Sequence, residues 1–401
     1  MSPSAEYPQH RGERPARSLR TLCLFVADLE GGGAERMMVQ LAGGIAEHGV
    51  EVDLVAATAR GPFVGEVPAS VRLVDLKRGG TAAAVLPLVA YLRRTRPDAM
   101  VSTLHHASFA AEVARRMARV PTLHFVREAS TPQACPASEG LKARAIAHGM
   151  GWTYAAADGV LAVSEGVAAG LRVHRGVPDT KIATVYNPVV SADLPSKAAE
   201  DPGHPWFAPG APPVVLAVGS LRPVKGLQVL LKAFARLRRA RDVRLLVLGE
   251  GPQRAELEAL ARTLGITDVV EFPGFTANPF AFMARAAVYV LASEREGLPG
   301  ALVQAMACGT CVVATDCQSG PREILEDGLY GALVPVGDVE ALGDALAAAL
   351  TDPGDPAARI ARAGCFARDR VVAAHLEVLE LGLRQRAHGA SPRRAVARGA
   401  S

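Results

Sequence analysis

Aromatic residues make up only 5% of the 401 residues, and no basic run interleaved with aromatics occurs. The usual footprint of a nucleic-acid-binding surface is therefore missing. A net charge of +4 does not supply one. Long hydrophobic runs are absent as well: the longest, such as Thr81 to Tyr91, are too short to cross a bilayer. The first eighteen residues lack the apolar core of a signal peptide. Six cysteines, at 23, 135, 308, 311, 317 and 365, have no framework spacing, as expected for reduced thiols in a cytosolic protein. Cys308 and Cys311 form a CxxC with Cys317 close behind, but no fourth ligand is evident. Small apolar packing explains them better than metal or redox chemistry. No Asp-x-Asp triplet exists, so no divalent-metal clamp on a diphosphate is expected. Gly-x-Ser-x-Gly and the Walker loop are missing too.

What is present is an ordinary globular composition, 49% hydrophobic and 21% charged, in a chain too long for one core. Residues 1–18 and 388–401 read as disordered tails. Between them strand and helix alternate, twice over. The first round opens with a strand at Thr21–Ala27, a glycine loop and a helix carrying Met37, Met38, Leu41 and Ile45 on one face. Strands at Val52–Ala57, Met100–Leu104, Thr122–Val126 and Val160–Val163 follow. A stretch rich in Pro, Gly and Ala, 191–212, has no hydrophobic period and reads as a linker. The rhythm restarts at Val214–Val218, with helices Leu227–Leu237 and Gln253–Leu264 and strands at Val243–Leu248 and around Val269, Val288 and Val312. Continuous apolar strands between amphipathic helices mean parallel sheets covered on both faces. Two Rossmann-like domains are expected, 19–190 and 213–368, with a helix at 369–387 packing back on the first. Ligands of such sheets bind in the crevice beyond the strand ends.

The most informative segment is Ser293–Cys311, SEREGLPGALVQAMACGTC: strand end, acidic turn, helix, return to a strand. Glu296 sits on the turn, Leu298-Pro299-Gly300 open the helix, and Gln304 is a polar residue among apolar ones. A helix start beside a carboxylate suits a polar, phosphate-bearing ligand. Gly219-Ser220-Leu221-Arg222-Pro223-Val224-Lys225-Gly226 is a second strand-end loop, and Arg222 with Lys225 can neutralise a diphosphate. Gly31, Gly32 and Gly33 let backbone amides approach a phosphate or sugar. A dinucleotide fingerprint is not met, because Arg36 fills its last glycine position. His105 and His106 end a strand at the crevice rim, and Arg127-Glu128 end another. His124, inside an apolar run, reads as a packed core histidine, and Asn187-Pro188 as a turn. Glu323 lies at a further strand-to-helix turn, where capping its own helix and meeting ligand are equally open.

Together these segments resemble family 4 of the retaining, nucleotide-sugar-dependent glycosyltransferases, which have the GT-B fold. GSLRPVKGLQVLLKAF, VLGEGP, EREGLPGALVQAMACG and SGPREILEDGLYGALVPVGD stand in that family's order and spacing, with GGGAER and VSEGV in the first half. The resemblance implies donor binding on the second domain and acceptor binding on the first, with no metal or other cofactor. It implies that Glu296 contacts the donor sugar, Lys225 binds phosphate and Gln304 stands where a glutamate usually holds the ribose. Gly32, Gly33, Gly219, Leu298, Gly300 and Glu323 complete the implied donor site. The family's phosphate-binding arginine would fall on Ser220, with Arg222 as substitute. Its first-domain histidine falls on His105 or His106, with Arg127 as runner-up.

The leading expectation is transfer from a nucleotide diphosphate sugar to an acceptor hydroxyl, giving an α-glycoside. A sugar-nucleotide epimerase or phosphorylase on the same fold, and a non-catalytic sugar-nucleotide sensor, are the alternatives. The acceptor is expected to be a carbohydrate or a lipid-linked glycan. A cytoplasmic enzyme peripheral to the inner membrane surface follows if Arg93, Arg94 and Arg96 rest on anionic lipid.

Overall fold

The computed structural model describes residues 18–30, 32–132 and 141–388, with side chains of the last stretch from 146 onward. Apart from Ser18 and His388, the two expected tails lie outside the described residues, as do Gly31 and Cys135.

The N-terminal sheet is built from β1 (Thr21–Val26), β2 (Glu51–Ala56), β3 (Arg72–Asp75), β4 (Ala99–Thr103), β5 (Leu123–Glu128), β6 (Gly159–Ala162) and β7 (Ile182–Thr184). Its helices are α1 (Gly33–Glu47), α2 (Val85–Thr95), α3 (His105–Ala118), α4 (Leu141–Ala156) and α5 (Glu165–Arg175). A short α6 (Leu194–Ala199) precedes the second sheet. That sheet holds β8 (Val214–Val218), β9 (Arg244–Leu248), β10 (Val270–Gly274), β11 (Val288–Leu291), β12 (Cys311–Thr315) and β13 (Ala332–Val334). Around it lie α7 (Leu227–Arg238), α8 (Arg254–Thr263), α9 (Phe280–Met283), α10 (Gly300–Ala307), α11 (Pro321–Ile324), α12 (Val339–Thr351) and α13 (Pro356–Ala363). The last helix is α14 (Arg368–Ala387).

Every strand pairing is parallel, as in Leu24 with Leu54 and Tyr289 with Val312. The reason is the composition of the strands: β4, β6 and β11 are buried at every position, so both faces need helices. The strand orders are β3-β2-β1-β4-β5-β6-β7 and β10-β9-β8-β11-β12-β13. Each order reverses once, between β1 and β4 and between β8 and β11. These two Rossmann-like domains form the GT-B architecture.

Two local features differ from the sequence reading. Within 191–212 the structure has α6 and a short 3-10 turn at Pro205–Phe207, and Asn278 before α9 bonds to Lys197 and Glu200. The short strand β3 and the edge strand β13 lack an apolar run long enough to announce them. In α14, Val372, Leu379 and Leu383 share a core with β1 and α1, and Arg368 pairs with Glu47 at 2.7 Å. Among the described residues no helix is long and apolar enough to cross a membrane. Arg93 donates to the Met117 carbonyl at 2.9 Å, tying α2 to the end of α3.

Candidate active site

Loops at the C-terminal ends of β1 and β4 face loops at the ends of β8 and β11 across one cavity of about 670 Å³. A reversal of strand order sends neighbouring connections to opposite faces of a sheet and leaves a crevice between them. Here two such crevices meet.

On the C-terminal wall, Lys225 donates to Glu296 Oε1 at 2.7 Å, and Ser293 donates to the same oxygen at 2.7 Å. Both partners of the ion pair are largely buried, with side chains 26% and 12% exposed. Gly219, Leu298, Gly300 and Gln304 line the same wall. The Gln304 side chain makes no hydrogen bond to a described residue, and it lies on the first turns of α10. Pro299 stands as the N-cap of that helix, so it offers no amide to a ligand.

The N-terminal wall carries its own charges. His105 opens α3, and its Nε2 lies 3.1 Å from Glu128 Oε2. Glu128 is buried, yet bonds from His105, Tyr154 (2.6 Å) and Ser130 outweigh the burial penalty and hold its carboxyl below the usual range. The Glu128 carboxylate in turn raises His105 above its ordinary 6.5. Leu104, just before it, has φ of 68°, an uncommon conformation for a side chain of its size. Arg127 is buried beside them, which lowers its pKa to about 10. It donates to Thr103 Oγ1 at 3.3 Å and to Asn187.

Of the residues named from sequence, Gly33, His105, His106, Gly219, Lys225, Glu296, Leu298, Gly300 and Gln304 all line the cavity. Arg127 lines it too. Gly32 is the exposed N-cap of α1 and is not in the wall. Arg222 is exposed and outside it, as the N-cap of a short 3-10 turn. Glu323 does not cap its own helix and lies outside the wall. Its carboxylate accepts the Glu165 amide at 2.9 and 3.1 Å, capping α5 of the other domain, and burial raises its pKa. Asn187 corrects the sequence reading, because it lies in the wall instead of forming only a turn. An asparagine at the end of a short apolar strand carried no signal of this. His124 is fully buried and hydrogen-bonded to Glu112 and Ser102, a packed histidine as read. The Cys308 and Cys317 thiols are pushed up to about 12 by burial.

The domains touch at the acidic turn. Thr131 and Ser319 donate to the Glu296 carbonyl at 2.9 and 2.8 Å, and Ser164 donates to the Gly297 carbonyl at 2.8 Å. A Cβ on Gly297 would lie 2.0 Å from the Ala129 carbonyl oxygen. Only glycine permits that approach.

This architecture is that of a two-domain GT-B glycosyltransferase, and solved structures agree. A glycosyltransferase from Rickettsia africae superposes with a TM-score of 0.76 at 17% identity, covering 92% of this chain and all of that one. Anabaena Alr3699/HepE with UDP and glucose gives 0.71 at 22% identity, over 90% and 98% of the two chains. At such identities the likeness speaks for the fold. Sequence goes further. Residues 31–192 match Glycosyltransferase Family 4, and residues 204–364 match Glycosyl transferases group 1. The N-acetylgalactosamine-N,N'-diacetylbacillosaminyl-diphospho-undecaprenol 4-alpha-N-acetylgalactosaminyltransferase of Campylobacter jejuni is 27% identical, covering 83% of this chain and 91% of its own. The chain belongs to the family 4 glycosyltransferases.

Proposed function

We propose that the protein moves a hexosyl or N-acetylhexosaminyl group from a nucleoside diphosphate sugar to an acceptor hydroxyl, with retention at the anomeric carbon. The observation that carries this reading is the Lys225–Glu296 pair on one wall of a cavity whose other wall holds His105 and Arg127. As the glycosidic bond breaks, negative charge grows on the departing diphosphate. A fixed cation there lowers the barrier, and loss of one such group costs roughly a hundred- to a thousandfold in rate. Lys225 is paired with Glu296. A diphosphate competes for that lysine and frees the Glu296 carboxylate to accept from sugar hydroxyls. Attack comes from the face the diphosphate leaves, and a diphosphate oxygen takes the acceptor proton. Gln304 meets the ribose, and protonated His105 donates to the donor from the opposite wall. Arg222, being exposed, is left with steering of the charged donor.

The names of relatives support the finer reading. The Campylobacter jejuni enzyme is named for a diphospho-undecaprenol acceptor, and a Rhizobium meliloti relative, 33% identical over 177 residues, for lipopolysaccharide core biosynthesis. We therefore place the reaction in polysaccharide or glycolipid synthesis at the inner membrane face. A donor panel read by nucleoside diphosphate release tests it, with Lys225→Ala plus Glu296→Ala as the control. Unchanged turnover in a folded double variant overturns the assignment of the site. Isomerised donor without nucleotide release indicates an epimerase, and tight donor binding without turnover a sensor.

A further inference from the structure

The reaction cleft continues into a second hollow of about 740 Å³ on the N-terminal domain. His105 and His106 line both, so the two spaces join at the start of α3. Past the histidines the wall changes character. Val85 of α2, Phe109 and Val113 of α3 and Ile146 and Met150 of α4 line it, and among the described residues no charged side chain other than the histidines does. On α3, His106, Phe109, Val113 and Met117 follow at intervals of three and four residues. That spacing is one stripe of a helix, about 16 Å long. Two of the large apolar side chains left exposed, Phe109 at 43% and Ile146 at 53%, line this hollow, and the Trp152 ring lies beside Phe109. Singly exposed apolar residues are ordinary, whereas a contiguous patch opening from a reaction cleft marks a binding surface.

We infer that this groove holds the hydrocarbon chain of an amphiphilic acceptor whose glycosyl head reaches His105. The inference rests on the transferase reading, which requires an acceptor hydroxyl in the cleft. The rest of the same molecule must then leave through an opening, and this one is shared with the two histidines. A glycan needs hydrogen-bonding partners along its length, and the groove supplies few; an alkyl or prenyl chain needs none. The volume suits one chain, not a folded partner.

Trp152 provides a reporter, its ring 5.5 Å from that of Phe109. With Trp206→Phe it becomes the only tryptophan. Monomeric decyl maltoside, below its micelle concentration, is expected to change Trp152 emission saturably, while maltose is not. Phe109→Ser with Ile146→Ser should weaken decyl maltoside binding by roughly tenfold, as expected for losing two apolar contacts. Should that variant melt early, Ile146→Ser alone, at an exposed site, carries the test. Equal responses to maltose and decyl maltoside overturn the inference, as does unchanged affinity in a folded variant. So does loss of binding to phosphatidylglycerol vesicles with decyl maltoside binding intact, which would mean docking on a bilayer instead of holding one chain. The measurement needs no turnover, so it stands apart from the donor panel.

Discussion

Under the proposed function, position 304 is where α10 meets the donor's ribose. A neutral amide accepts a hydroxyl less strongly than a carboxylate does, since charge-assisted hydrogen bonds are roughly twice as strong. Gln304→Glu is therefore expected to tighten nucleoside diphosphate binding several-fold, about 1 kcal/mol, by calorimetric titration. Equal or weaker binding would remove Gln304 from ribose recognition. On the opposite wall, His105 and Glu128 form a titrating pair. Because Glu128 raises the imidazole above 6.5, the pair's stabilisation is complete below that value and fades as pH climbs through the raised one. Glu128→Gln removes the cause. The His105 titration followed by NMR should move to lower pH, and the alkaline limb of the rate profile should move with it. A rate profile that stays put while the imidazole shifts would separate His105 from catalysis.

At the scale of elements, α3 is the piece that presents His105, and a buried network holds it. Glu112 on α3 binds His124 of β5 at 2.8 Å, His124 binds Ser102 of β4 at 2.8 Å, and Ser102 binds Ser108 back on α3 at 2.9 Å. Burial pushes the Glu112 carboxyl up, but bonds from His124 and Arg115 outweigh it and bring the pKa down to about 2. A charge so placed cannot lose its partners cheaply. Glu112→Ala should destabilise the N-terminal domain by about 3–5 kcal/mol, because Arg115 and His124 are left without their carboxylate. Urea unfolding of the purified protein checks the figure, and a loss under about 1 kcal/mol contradicts the account. Periodicity did not announce α3, since its apolar face is mostly alanine. The polar network could not be foreseen. Glu112, Ser102 and His124 are adjacent only because β4 and β5 pair.

The whole molecule depends on how closely the domains approach at Glu296 and Gly297. The Gly297 backbone passes against the Ala129 carbonyl, and Gly166 passes equally close to Ser319. A single methyl at Gly297 should wedge the crevice, because the Cβ would meet backbone instead of a movable side chain. Gly297→Ala is expected to raise the radius of gyration in solution scattering and to slow nucleoside diphosphate release roughly a hundredfold, the scale of a 1 Å misplacement of reacting groups. Unaltered scattering together with an unaltered rate would show that the closed arrangement is dispensable.

Much of this molecule is determined by local order in the chain. Val214–Val218 and Val288–Leu291 are apolar throughout, so they are parallel strands wherever they fold. Loops that follow them end at the crevice, and this makes Gly219, Lys225 and Glu296 legible as residues of its wall. The tertiary structure decided the rest, through contacts between residues far apart in sequence. Arg222 lies three positions from Lys225, yet a turn leaves it in solvent while Lys225 reaches Glu296. Asn187 enters the wall because Arg127, sixty residues earlier, holds it there. Glu323 is drawn to the amide of Glu165, where an unsatisfied helix start in the other domain offers a better partner than its own. Spacing along a chain says which residues can share an element, and only packing says which of them face the same space.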